Sequence, residues 1–210
     1  MHGKFSGLWR HPDFMKLWIG QSISEFGSYI TGTGLPLVAI ITLAASPLEL
    51  GLLAALGSVP VLLFSLIAGV WVDRLSRRPL MIGADVARML LLLTVPLAAL
   101  TGHLSMVLVY IVTVALSLLS LLFNVAYRAA LPGLISREHL LEGNTKLATS
   151  SSLAEVGGPA IAGLLIQAIT APVAILIDAL SFLISAISLG LIRQPEPPAP
   201  EPSGESVLHE

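Results

Sequence analysis

The chain has 210 residues, of which 55% are hydrophobic and 11% charged, with a formal net charge of −2 and no cysteine. Soluble domains are about one quarter charged, so this composition argues against a soluble globular fold, and the missing cysteine excludes disulfides and thiolate metal sites. The apolar residues fall in repeated blocks of about twenty, the length that crosses about 30 Å of hydrocarbon as a helix.

Residues 1–16, "MHGKFSGLWRHPDFMK", are basic but lack a short apolar core followed by a small-residue cleavage site. They read as a cytoplasmic N-terminal segment, and the first membrane helix serves as its own insertion signal. Six transmembrane helices are expected within 17–192, over Leu17–Leu43, Leu48–Trp71, Pro79–Leu100, Ser105–Asn124, Leu147–Ile169 and Pro172–Ile192. Short breaks, "AASPLE", "TGHL" and "TAP", follow the odd-numbered spans, while the connections after the second and fourth are longer and charged.

Apart from Arg88, the basic residues lie outside the spans or at their edges. Lys4, Arg10 and Lys16 precede the first, Arg74, Arg77 and Arg78 follow the second, Arg128, Arg137 and Lys146 follow the fourth, and Arg193 follows the sixth. The positive-inside rule then places both termini in the cytoplasm of a multi-pass plasma membrane protein. Residues 193–210, with "QPEPPAPEPSGESVLHE", are too rich in Pro and Glu to pack and read as a cytoplasmic linker or tail. A six-helix unit ending in such a linker reads as the first half of something larger.

The charges in "AGVWVDRLSRRPLMIGADVAR" form one constellation. Asp73 follows Gly69 by four residues at the end of the second span, where glycine permits close helix approach, and Asp85 and Arg88 share a face of the third. A carboxylate at a helix C-terminus opposes the macrodipole, so Asp73 needs a partner such as Arg88 or another helix's N-terminus. If that partner moves, Gly69, Asp73, Arg74, Arg77, Arg78, Asp85 and Arg88 make a conformational latch. The plainer reading leaves the loop arginines to set topology and touch anionic lipid, but it does not account for acids and an arginine within a span.

"GVWVDRLSRRP" and "DVAR" resemble the signature between the second and third helices of the major facilitator superfamily, with Ser76 where a glycine commonly precedes the basic pair. "FNVAYRAALPGLISREHLLEGN" and "DALSFLISA" resemble the branch containing macrolide-efflux and enterobactin-exporter-like proteins. "AEVGGPAIAG" is similar to the Gly-Pro motif of drug antiporters at Gly158, Pro159 and Gly163, with Ala154 replacing an earlier glycine. The resemblance covers Leu8 to Arg193, about half of the usual twelve helices. It implies an all-α membrane protein, one half of a major-facilitator-type fold with a 3+3 inverted repeat. It also implies proton-coupled export of drug-like or siderophore-like amphipathic compounds by alternating access from the bacterial inner membrane.

Gln21, Ser22, Ser24, Glu25, Ser28, Tyr29 and Thr31 make a polar stripe on the first span, and such a face looks onto a cavity. The resemblance lines that cavity with the first and fourth helices. Glu25 is thus the candidate for proton coupling or for contact with a cationic substrate, with Gln21, Tyr29 and Asn124 beside it. Glu155 precedes the helix-bending Gly158-Pro159 and is a candidate gate residue, balanced against a structural role. Asp178, with Ser181 and Ser185 at helical spacing, reads as a packing and hydrogen-bonding residue, and Gly27, Gly32, Gly34 and Pro36 as packing positions.

No G-x-x-x-x-G-K-[ST] loop is present, and the five histidines lack metal-ligand spacing, so no enzyme site, metal, cofactor or nucleic-acid partner is expected. The expected partners are the bilayer, a small-molecule substrate and a second six-helix half, in the same or a separate chain or by homodimerisation. The competing reading is a non-transporting fragment or interaction module.

Overall fold

The computed structural model describes residues 7–72 and 75–194. After a 3₁₀ turn at Leu8–Arg10, the chain forms α1 (Pro12–Leu37), extended by a π-helical turn at Val38–Thr42. There follow α2 (Pro47–Val72), α3 (Arg77–Leu100), α4 (Met106–Leu134), a 3₁₀ turn at Arg137–His139, α5 (Leu140–Ile169) and α6 (Ala171–Gly190). Among the described residues there is no strand.

The helix starts carry local chemistry. Pro12 takes the first position of α1, where its missing N–H costs nothing, and His11 Nδ1 accepts the Phe14 N–H at 3.2 Å. Ser46 and Glu49 form a capping box at α2: the Glu49 carboxylate accepts the Ser46 N–H at 2.7 Å and Ser46 Oγ accepts the Glu49 N–H at 3.4 Å. Ser105 caps α4 by accepting the Leu108 N–H at 3.3 Å. Thr170 (φ 76°) alone reverses the chain between α5 and α6.

Among the described residues, five helical segments have the length and apolarity to cross a bilayer: Pro47–Val72, Arg77–Leu100, Met106–Leu134, Arg137–Ile169 and Ala171–Gly190. α1 is long enough, at 26 residues, but carries the polar stripe. Two expected boundaries are corrected, and one is the start of the fifth helix, which lies at Leu140 rather than Leu147, so that Lys146 is helical. The fourth helix does not stop near Asn124 before a long charged loop but continues to Leu134, because "VAYRAALPGL" is rich in helix formers and buries Ala126 and Leu131.

The helices are ordered as neighbours α5, α1, α6, α3, α4, α2, while α1 and α4 barely touch. Two apolar clusters fill the bundle, one around Ile30, Leu92, Val112 and Ile175, the other around Phe14, Met81, Phe123 and Leu189. Along α3, Asp85 and Arg88 lie between Ala84 of the second cluster and Leu92 of the first. The outer face of α2 is apolar and open, with Leu66 85% exposed, as a surface meeting lipid or another apolar partner requires.

α1 and α6 make the tightest seam. Gly20, Gly27 and Gly34 recur every seven residues along α1 and face Ser188, then Asp178 and Ser181, then Ile175 of α6. A methyl on Gly20 would lie 2.8 Å from Ser188 Cβ, and one on Gly34 3.1 Å from Ile175. With little hydrophobic drive between helices in lipid, such small-residue seams hold them by close packing. Gly32 has open space around it and takes no part.

Candidate functional site

The gap between α1 and α4, closed on one side by α5, holds a cavity of about 270 Å³. Gln21, Ser22 and Glu25 line it from α1, Asn124, Tyr127 and Arg128 from α4, and Asn144, Ser150 and Ser151 from α5. Expected Gln21, Glu25 and Asn124 therefore meet, with Ser151 on the same cavity wall. Gln21 Oε1, Ser22 Oγ and the Tyr127 hydroxyl are buried without a hydrogen-bond partner among the described residues, so the residues of this wall carry polar atoms left uncommitted just behind its surface.

Tyr29 and Glu155 do not line this cavity. The Tyr29 ring covers Gly158, where a methyl would lie 2.6 Å from Tyr29 Cγ, so Gly158 serves packing of α1 on α5. Glu155 and Pro159 are exposed, Gly163 has open space around it, and α5 runs unbroken through Pro159. Arg128, Asn144, Ser150 and Ser151 join the site without having been singled out by sequence reasoning. A signal for two of them exists, since Asn144 and Ser151 are two helical turns apart on the polar N-terminal half of α5.

The latch constellation divides. Asp73 and Arg74 lie outside the described residues. Arg77 Nη1 donates to the Ala129 carbonyl of α4 at 2.9 Å. Arg78 donates to the Leu189 and Gly190 carbonyls at 2.8 and 2.7 Å, satisfying orphan acceptors at the end of α6 and complementing its dipole. Lys16 joins this cap, donating to the Leu191 carbonyl at 2.7 Å, while Asp13 Oδ2 accepts the Arg193 and Gln194 N–H groups at 3.2 and 3.0 Å. The Lys16 hydrogen bond to Asp13, at 2.7 Å, holds that carboxyl below the usual carboxylate range. A methyl on Gly69 would meet nothing within 4 Å among the described residues, so the close approach expected there does not occur among them.

Arg88, one of the partners expected for Asp73, is buried and ion-paired to Asp85 one turn earlier on α3. Its guanidinium lies between the rings of Phe123 and Phe182, 4.4 and 4.2 Å from their centroids, a cage that suits a weakly hydrated planar cation. Asp178 comes close to the same cluster from α6. It is fully buried and accepts hydrogen bonds from Thr31 of α1 and, at 2.9 Å, from Ser181. A second cavity of about 220 Å³ between α1, α4 and α6 has Asp178 on its wall, with Ser28, Thr31 and Ser120.

An apolar helical bundle carrying a polar cavity between two loosely apposed helices has the make-up of a multi-pass membrane protein. The chain matches the family described as transmembrane secretion effector over residues 3–206 and belongs to it, within the major facilitator superfamily (MFS). It is 28% identical over 186 residues to macrolide efflux protein A of Streptococcus pyogenes, covering 87% of this chain and 45% of that one. It is 26% identical over 175 residues to the uncharacterized MFS-type transporter YfiS of Bacillus subtilis, covering 83% and 41% respectively. The chain thus spans less than half the length of these curated relatives. No solved structure matches it significantly.

Proposed function

We propose that the chain is one six-helix half of a secondary active exporter in the bacterial inner membrane, moving amphipathic drug-like or siderophore-like compounds outward in exchange for protons, without a cofactor. The observation that carries this reading is the cavity between α1 and α4, where Glu25 sits among uncommitted polar atoms in an otherwise apolar bundle. A carboxylate there contacts the cationic group of a substrate, and the kinship with a macrolide efflux protein favours a bulky amphipathic one.

A 3+3 inverted repeat is supported by the neighbour pattern. Exchanging α1 with α4, α2 with α5 and α3 with α6 turns the α1–α6 pairing into α4–α3 and α1–α5 into α4–α2, and leaves α3–α6 in place; all of these occur. The basic residues gathered at one end favour cytoplasmic termini. The open faces of α2 and the α1–α4 gap favour a second half, from the same chain, another chain or a second copy, as does the cost of polar atoms left facing lipid. Asp73, Arg74, Arg77 and Arg78, with Gly69 before them, are proposed to act as the latch against that half.

The test is macrolide uptake into everted membrane vesicles carrying the chain, with crosslinking to report its assembly. Expected are an oligomeric or partnered species and gradient-dependent uptake that Glu25→Gln abolishes. A strictly monomeric chain, or uptake indifferent to Glu25→Gln, overturns the reading and leaves the interaction module in its place.

A further inference from the structure

We propose that Asp178 is a proton-binding residue, reached from the cavity between α1, α4 and α6 and set by the Asp85–Arg88 pair. The inference rests on the transporter reading for its purpose, while the proton itself is detectable whether or not transport occurs.

Three groups carry charge here. Asp85 and Arg88 of α3 are the charged groups that act on Asp178, while α1 contributes the Thr31 hydroxyl with Ser28 on the same cavity wall, and α4 the hydroxyls of Thr113, Ser117 and Ser120. All three charged residues are buried, between two apolar clusters. Two carboxylates against one guanidinium leave one negative charge over, and a hydrocarbon-embedded interior strongly disfavours an uncompensated charge. One proton makes the cluster neutral.

The geometry assigns that proton. Asp85 pairs through Oδ1 with Arg88, whose flat cation lies against two aromatic rings, and its buried Oδ2 has no hydrogen-bond partner among the described residues that would receive an acid proton. Asp178 is held instead by two hydroxyls, and a hydroxyl rotates to donate to a carboxylate or to accept from a carboxylic acid. Both forms of Asp178 are therefore satisfied by the same partners without backbone movement. Asp178 also borders this cavity while itself fully buried, so the route for a proton runs through the cavity side of α6 and a small movement of the lining side chains rather than through a parting of the α1–α6 seam.

The consequence for α1 is direct. Thr31 is on the helix that carries Glu25, and Asp178 lies against Gly27 in the seam, so proton gain or loss changes a hydrogen bond across the α1–α6 contact. Substrate contact at Glu25 and proton binding at Asp178 thus fall along one helix rather than on one carboxylate.

The experiment is pH-difference infrared spectroscopy of the full chain in lipid, reading the C=O band of a protonated carboxyl. Expected is a titrating band that Asp178→Asn removes and Glu25→Gln retains, and whose midpoint Thr31→Val shifts while Ser22→Ala does not. A band that survives Asp178→Asn, or the absence of any titrating band in the parent chain, overturns the proposal. If Asp178→Asn does not fold, an unmoved midpoint in Thr31→Val overturns it equally. A band that behaves as expected in vesicles without uptake leaves the proton site standing and removes only the transport reading.

Discussion

Gly27 of α1 lies directly against the carboxyl of Asp178 on α6, with no room between them for a methyl group. The side chain that would move is held on both sides, by Thr31 and Ser181, so the seam has little freedom to relax. Gly27→Ala should destabilise the folded chain by about 1–3 kcal/mol, the usual cost of overpacking, whereas Gly32→Ala, in open space, should not. Thermal unfolding in detergent checks both.

Arg88→Met keeps a long side chain between Phe123 and Phe182 but leaves Asp85 as a buried, uncompensated anion. Removing one partner of such a pair costs about 3–5 kcal/mol, so this variant should insert poorly or melt early. Asp85→Leu combined with Arg88→Met should recover much of the loss. Comparing the melts of the single and double variants isolates the charge effect from packing.

Asp13 gives an acid-side signature. Its carboxyl is held below the usual range by Lys16, so its stabilisation is complete above the unfolded value of about 3.9 and is lost as pH falls through the lower folded value. Asp13→Asn should flatten the acid limb of a stability-against-pH curve and free residues 193–194 from α1. Melting temperature followed into acid shows whether it does.

Arg78→Gln removes the donors that cap α6 at Leu189 and Gly190. Limited proteolysis should then cut faster just beyond Gly190, with insertion unchanged. Asp73→Asn, by contrast, should impair vesicle uptake with little loss of insertion. Normal uptake in Asp73→Asn removes the latch reading of the loop.

The capping chemistry is legible in the residues themselves: Ser46-Pro47-Leu48-Glu49 is a helix start in four letters, and the polar stripe around Glu25 announces a cavity face. The fourth helix outruns its apolar block because Arg128, a charge that reads as a loop residue, is helical. It lies on the cavity wall, where a polar face turned inward accommodates it. Asp178 reads as a packing residue because its spacing with Ser181 and Ser185 reveals partners on its own helix and none across the seam.

That the chain lives in lipid as long helices follows from the order of its residues alone, because hydrocarbon thickness sets the length of each apolar block and an unpaired backbone is intolerable there. Which polar groups meet is settled only by packing in three dimensions: Asp178 with Thr31, Arg78 with the end of α6, Asp13 with Arg193 and Gln194. Helical periodicity names the residues on a face, but the rotation of that face and the helix it meets follow from packing along the whole length of each pair. In α1 and α6 that packing depends on three glycines seven residues apart.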